Sequence, residues 1–383
     1  MKKILMIMTN ITTSNMQNYL QQMGCEVIPW QASCGGNATI WAEELSAAVD
    51  SSYYGVFMYN YYPEFAQVCY DKKLYYITWI VDNPHFSLWS STVKYDTNRI
   101  FVFDKSQLDD LKERGVERVF YLPLGADVEF FDKVDYQKGS FPADVSFVGS
   151  LYNESPRNMF AQLTGLPPYI EGYLNALIQA QQKISENIID KKIITLQMWE
   201  ALKQCVNLVP DDAYDFPYEE CFLSILQKEV TRRERCQAVT LLQELFDFKL
   251  YTGSSLEFNP KLKKERYVDY TTEMPLVFRQ SKVNINITVR SITSGIPLRA
   301  LDIMACKGFL LSNYQTELAE YFEEDKECVF YYNLEDMAVK TDFYIRHDEE
   351  RRRIALAGYE KVREEFSLRK QLERMHQLLV GEE

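Results

Sequence analysis

Ser294-Gly-Ile-Pro-Leu-Arg299 is the segment of this chain best equipped for chemistry. Pro297 suits the first turn of a helix, where no amide hydrogen is needed. Gly295 lets a ligand approach the backbone closely. Amides exposed at a helix N-terminus, with an arginine one turn in, attract anions and suit a diphosphate. The segment lies in a basic stretch: residues 274–314 hold Arg279, Lys282, Arg290, Arg299 and Lys307 against one acid, Asp302. That stretch carries +4 in a chain of net charge −13, which leaves −17 elsewhere. The plainer alternative is a surface helix in which Arg299 pairs with Asp302 at i,i+3. Two further turns, Gly149-Ser150 and Thr252-Gly253, each follow a short apolar run and are compatible with nucleotide contacts. No G-x-G-x-x-G follows the first apolar run, and no G-x-x-x-x-G-K-[ST] occurs. This disfavours a dinucleotide oxidoreductase or a P-loop NTPase.

The elements that must position these groups follow from length and pattern. A chain of 383 residues, 46% hydrophobic, predicts two domains with their own cores. Its acidity argues against a general nucleic-acid binder or docking on anionic lipid. No apolar stretch reaches the roughly 18 residues of a membrane span. The run Ile4–Met8 is too short for a signal peptide and reads as a first buried strand. The eight cysteines form no C-x-x-C pair, and only His85, His347 and His376 accompany them. That composition argues against a zinc site and for reduced thiols in a cytoplasm.

Strand-like runs over residues 3–8, 26–30, 55–59, 74–81, 99–103 and 118–122 alternate with helical stretches, including 39–49 behind a cap candidate at Asn37. The alternation predicts a doubly wound α/β sheet over residues 1–138. Ligands of such sheets bind at the strands' carboxyl ends, here the loops Thr9–Asn15, Asn60–Pro63 and Asp82–Phe86. A second unit opens with the strand 144–148, is interrupted by a helical insertion over about 167–246, and resumes with strands at 248–251, 283–288, 309–312 and 328–332. Two Rossmann-like domains facing a cleft are expected, 1–138 and 139–355. Residues 356–383 form a last helix.

Residues 283–288 with Ser294–Leu318 resemble the donor-domain signature of GT-B glycosyltransferases, closest to the spore-maturation CgeB-like branch and its relatives in flagellin modification. His347-Asp-Glu-Glu-Arg351 through Gly358-Tyr359 resembles the same branch's C-terminal segment. Trp79-Ile-Val-Asp82-Asn-Pro84, Phe101-Val-Phe-Asp104-Lys105 and Tyr121-Leu-Pro-Leu-Gly125 are similar to its N-terminal half. The resemblance implies a nucleotide-sugar donor, foremost a UDP-sugar, bound by the second domain, and an acceptor bound by the first. The acceptor is a sugar or a protein hydroxyl, as on a flagellin-like protein, and no metal or other cofactor is needed. It places Gly149, Ser150, Asn286, Gly295, Ile296, Pro297 and Arg299 around the donor, Asp302 at the ribose and Tyr270 near the base; Thr252, Gly253 and Arg290 are further donor-side candidates. It also implies that the last helix crosses back onto the first domain.

The chain departs from the E-x7-E pattern of many retaining members, with Ser294 at the first position and Asp302 at the second. An inverting transfer needs a base on the acceptor side; Asp82 and His85, at the end of a first-domain strand, are the candidates. Asn10, Tyr61 and Tyr62 are the other acceptor-side candidates. The missing acid leaves a second reading open, a non-catalytic nucleotide-sugar sensor or scaffold on the same fold.

Overall fold

The computed structural model describes residues 2–9, 14–34, 37–154, 158–208 and 217–381. In the first domain, strands β1 (Lys2–Ile7), β2 (Cys25–Trp30), β3 (Gly55–Tyr59), β4 (Tyr75–Trp79), β5 (Asn98–Val102) and β6 (Val119–Tyr121) form one parallel sheet in the order β2-β1-β3-β4-β5-β6. In the second, β7 (Ala143–Val148), β8 (Phe248–Tyr251), β9 (Ser281–Asn286), β10 (Leu310–Asn313) and β11 (Val329–Tyr331) form another, ordered β11-β10-β9-β7-β8. Both sheets have the same winding: out one strand, then back past the start. Parallel sheets carry helices on both faces, which is why an inner strand such as β3 reads as an unbroken apolar run. All five residues of β3 are buried. The winding reverses between β1 and β3 and between β7 and β9, and crevices open outside the carboxyl ends there.

The insertion between β7 and β8 consists mainly of helices Pro168–Gln181, Leu196–Cys205 and Tyr218–Leu245. Leu174, Trp199, Phe222 and Leu226 give it a small core of its own. The helical signal at 221–227 is part of a single helix of 28 residues. Charges in its middle break the apolar periodicity, yet they are absorbed: buried Glu229 takes Arg232 and Arg233, both at 2.6 Å. Asn37 caps its helix as expected, accepting from the Ile40 amide at 3.0 Å.

Helix Asp348–Glu365 runs straight through Gly358 and packs on the second domain. A Cβ at Gly358 would lie 2.3 Å from the Glu327 carbonyl oxygen. Gly358→Ala is therefore expected to destabilise the protein by about 2–3 kcal/mol in urea unfolding, because backbone cannot yield as a flexible side chain would. The crossing to the first domain starts at Phe366, later than the boundary expected at 356. The Ala126 amide donates to the Phe366 carbonyl (3.0 Å) and the Leu368 amide to the Ala126 carbonyl (2.8 Å). Helix Leu368–Val380 then buries Leu368, Leu372, Met375 and Leu379, and Arg369 reaches Glu129 at 3.0 Å. All eight cysteines are free; Cys34 and Cys205 are exposed rather than in the core. No helix among the described residues is long and apolar enough to cross a membrane.

Candidate functional site

At the reversal between β7 and β9 the backbone is held by an arginine from the insertion. Arg235 donates through Nη1 to the Ser150 carbonyl at 2.6 Å and through Nε and Nη2 to the Ile287 carbonyl, 3.2 Å from Nε. Its guanidinium lies over the Tyr152 and Phe147 rings, at 5.1 and 5.5 Å. One side chain thus joins the loops that follow the two strands. Gly149 sits where a Cβ would press the Phe147 ring at 3.2 Å, while Gly253 borders open space. Buried Thr252 accepts from the Ser254 amide at 3.1 Å, and the Ser254 hydroxyl accepts from Leu151 N at 2.7 Å. These bonds fix both glycine turns side by side.

Helix Leu298–Ala305 starts one residue after Pro297, which is its cap. Arg299 stands in its first turn, half-buried over Phe278 with Nη1 against Met274 Sδ. Its Nη1 lies 3.9 Å from Asp302 Oδ2, so the i,i+3 pairing is present at its outer limit, but with a carboxylate that is buried. Tyr270 donates to Asp302 Oδ1 at 3.1 Å. Burial pushes the Asp302 carboxyl up to about 6, against the opposing pull of Arg299 and Tyr270.

Other donor-side candidates are turned to structural use. The Asn286 amide is buried and donates to Ser312 Oγ at 2.9 Å and Thr288 Oγ1 at 3.1 Å. Arg290 is clamped by Glu234, with Nε at 3.0 Å from Oε1, and donates to the Ser185 carbonyl at 2.9 Å. A Cβ at Gly295 would meet Asp104 Cβ and the Phe103 carbonyl at 3.0 Å, so this glycine serves contact with the first domain. Ile296 is core. The basic stretch does not converge on one site either. Arg279, Lys282 and Lys307 line a groove with Arg351 and Arg352 at the amino end of β9, and Lys282 pairs with Asp144 at 2.7 Å, Lys307 with Asp132 at 3.1 Å. Residues just before and just after a strand of six residues are separated by about 20 Å, a distance that charge counting along the sequence ignores.

On the acceptor side, Asp82 is exposed beyond β4 and its Oδ2 accepts from Asn60 Nδ2 at 2.8 Å. His85 Nε2 faces the backbone of Tyr61, 3.0 Å from N and 2.9 Å from O. Burial pulls the His85 pKa down, so the ring is neutral at pH 7 and braces the loop instead of standing open as a base. Tyr61 is wholly buried, its hydroxyl 2.8 Å from Thr92 Oγ1, and offers no face to a sugar. Tyr62 is half-buried against Phe65, ring centroids 5.5 Å apart. Asn10 lies outside the described residues.

The two domains meet through carboxylates that the sequence reading did not assign. Asp104 caps its own helix through the Ser106 amide (2.9 Å), and its Oδ2 accepts from Asn83 Nδ2 (2.8 Å) and from the Thr293 amide (2.9 Å) of the second domain. The Ser294 hydroxyl lies 2.8 Å from Asp104 Oδ1 and 2.6 Å from Glu317 Oε1. Burial raises the Glu317 pKa, against the pull of the hydrogen bonds it accepts from Ser294, Tyr121 and Lys105. Glu317 also accepts from the Lys105 amide (2.9 Å) and from the Tyr121 hydroxyl, both in the first domain. Ser294, which stands where many relatives of the resembled class have an acid, therefore serves as a clasp. Deeper in the cleft Tyr59, Trp79 and Asp127 face Tyr270 and Leu298 across only about 30 Å³. Asp104 and Asp127 carried one local signal, an aspartate before a helix; Arg235 was marked only by its place in Arg232-Arg233-Glu234-Arg235. Among the described residues no group of three His, Cys, Asp or Glu side chains is placed to hold a metal ion.

A family model described as "Glycosyl transferase-like" matches residues 232–377. No curated protein matches the chain. Among solved structures, sucrose-phosphate synthase from Thermosynechococcus elongatus superposes with a TM-score of 0.54 at 11% identity, over 100% of this chain and 99% of the other. Anabaena HepE in complex with UDP-glucose superposes at 0.51 and 11% identity, over 100% of both chains. Two parallel Rossmann-like sheets across a cleft, with added helices, make up the architecture shared with them.

Proposed function

We propose that this GT-B-fold chain is a glycosyltransferase that moves a sugar from a nucleoside-diphosphate donor, foremost a UDP-sugar, to an acceptor hydroxyl on a sugar or a protein. The reading includes the CgeB-like branch, a cytoplasmic setting and a flagellin-like acceptor, on the strength of the sequence resemblance. One observation carries it: of the five cations in residues 274–314, Arg299 stands at the carboxyl edge of the donor sheet with its nearest carboxylate contact at 3.9 Å.

The chemistry follows from that placement. As the acceptor oxygen bonds to the anomeric carbon, the bond from that carbon to the diphosphate breaks and the electron pair leaves with the phosphate. Amides at the start of helix Leu298–Ala305 and the Arg299 guanidinium meet the developing charge. Arg235 keeps the Ser150 and Ile287 loops in register around the donor. Asp82 takes the acceptor proton, since His85 is engaged by Tyr61. Charge stabilisation of this kind requires no metal ion.

The test is thermal unfolding with and without UDP, GDP, ADP and dTDP at saturating concentration. A ligand present at about 100 times its Kd stabilises by about 2.7 kcal/mol, so one nucleotide is expected to raise Tm by several degrees. A flat response to all four overturns the reading. With the donor identified, Asp82→Asn is expected to lower the transfer rate while leaving the nucleotide response intact.

A further inference from the structure

We propose that the cavity between the β4 loop and the insertion helix Tyr218–Leu245 is an acceptor pocket for a neutral sugar; this rests on the transferase reading above. The cavity holds about 270 Å³, just under the roughly 300–1,000 Å³ of small-molecule sites and enough for one or two sugar rings. Its floor is the first-domain segment from Asn83 to Trp89 with Gln107. Its roof is one face of the insertion helix, where Glu220, Ser224 and Gln227 recur at i, i+4 and i+7. Ser291 and Thr293, on the loop that leads to Arg299, close the end nearest the donor. A hydroxyl bound here lies between the segment that follows Asp82 and the loop that leads to Arg299. The family model begins at residue 232, so the three roof residues lie outside the matched segment.

The lining decides the ligand class. Each charged group in it already has a counter-ion: Arg114 Nε lies 3.0 Å from Asp110, and Glu220 pairs with Lys191. No net charge is left for a phosphate, a carboxylated sugar or a charged peptide. The rest of the lining is amides and hydroxyls beside the rings of Phe86 and Trp89, over which Lys228 lies at 6.0 Å and Arg114 at 3.8 Å. Gln107 is buried, and its carbonyl Oε1 has no hydrogen-bond partner among the described residues. An orphaned buried acceptor costs free energy that a hydroxyl donor would recover. The Gln227 side-chain amide likewise meets no partner among the described residues. The hydroxyls of an uncharged sugar ring match this combination.

Saturation-transfer NMR tests the proposal, with UDP present, on methyl glycosides of glucose, galactose, mannose and N-acetylglucosamine. Glucose 6-phosphate, glucuronate and a serine/threonine peptide are the comparison ligands. At least one neutral glycoside is expected to receive saturation. Gln227→Trp, which fills the half-buried rim, should abolish it, and Gln107→Leu should weaken binding roughly tenfold, the worth of a hydrogen bond to a buried acceptor. Both variants should keep the wild-type melting response to nucleotide, which shows that they fold. Saturation that survives Gln227→Trp overturns the assignment, as does signal from only the anionic ligands or the peptide. So does silence from every glycoside in a protein that responds to UDP. If no nucleotide binds but a neutral sugar does, in a Gln227-dependent way, the transferase reading fails and the sugar pocket stands.

Discussion

Arg299→Ala is expected to abolish the rise in melting temperature produced by the cognate nucleotide and to lower transfer by about 10²–10³-fold, the usual consequence of removing a donor aimed at developing charge. The matched control is Arg290→Ala. Both arginines belong to the same basic stretch, but Arg290 is held by Glu234 at 3.0 Å and by the Ser185 carbonyl, whereas Arg299 overhangs the start of helix Leu298–Ala305. Removing Arg290 leaves the largely buried Glu234 carboxylate without its partner and is expected to destabilise the protein by about 2–4 kcal/mol, with the nucleotide response retained. Thermal unfolding of both variants with and without nucleotide checks the pair. An intact response in Arg299→Ala, or its selective loss in Arg290→Ala, would reverse the assignment.

Asp302→Asn is expected to make the protein more stable at neutral pH while weakening donor binding. Burial pushes the Asp302 carboxyl up to about 6, from an ordinary value of 3.8. Between those values the folded chain keeps a proton that the unfolded chain releases. Stability from this group is therefore complete below about pH 4 and is lost as the pH rises through 6, by about 3 kcal/mol in total. Asparagine has no such proton to lose and still accepts from Tyr270. The variant should gain about 1–3 kcal/mol at pH 7 and show a flatter profile between about pH 4 and 6 in urea unfolding. A wild-type profile that rises with pH in that window would show Asp302 to be stabilised as a carboxylate instead. Loss of donor affinity together with a gain in stability would identify a buried acid kept for binding.

Local signals were legible in the sequence where a single element expresses them. The bounds of β3 agree with the apolar run 55–59, because a strand buried on both faces has no polar residue inside it, and those of β8 with 248–251, where half-buried Lys249 is the one exception. The turn from Gly295 to Arg299 was legible through proline and glycine chemistry. What could not be read is partnership across the chain. The clamp on Arg290 comes from Glu234, 56 residues away, and the contact between Ser294 and Asp104 spans 190. Asn286 and Arg290 have the residue types of a phosphate site, and only folding determines that their hydrogen bonds are already used. Tyr61 failed for the related reason that a residue next to a strand end can still turn into the core. The 28-residue helix was partly hidden because its ion pairs, not its apolar spacing, keep it continuous.

That helix carries Gln227 at the proposed acceptor cavity and Arg235 at the proposed donor loops. Eight residues of α-helix measure about 12 Å, with no joint between them. It works as a gauge block: the gap between the two substrates is set by helical pitch, the least compliant dimension available to a polypeptide. Its first half can change its side chains to receive another acceptor without disturbing the arginine downstream. A single inserted residue, by contrast, would swing Gln227 about 100° around the axis and miss the cavity altogether.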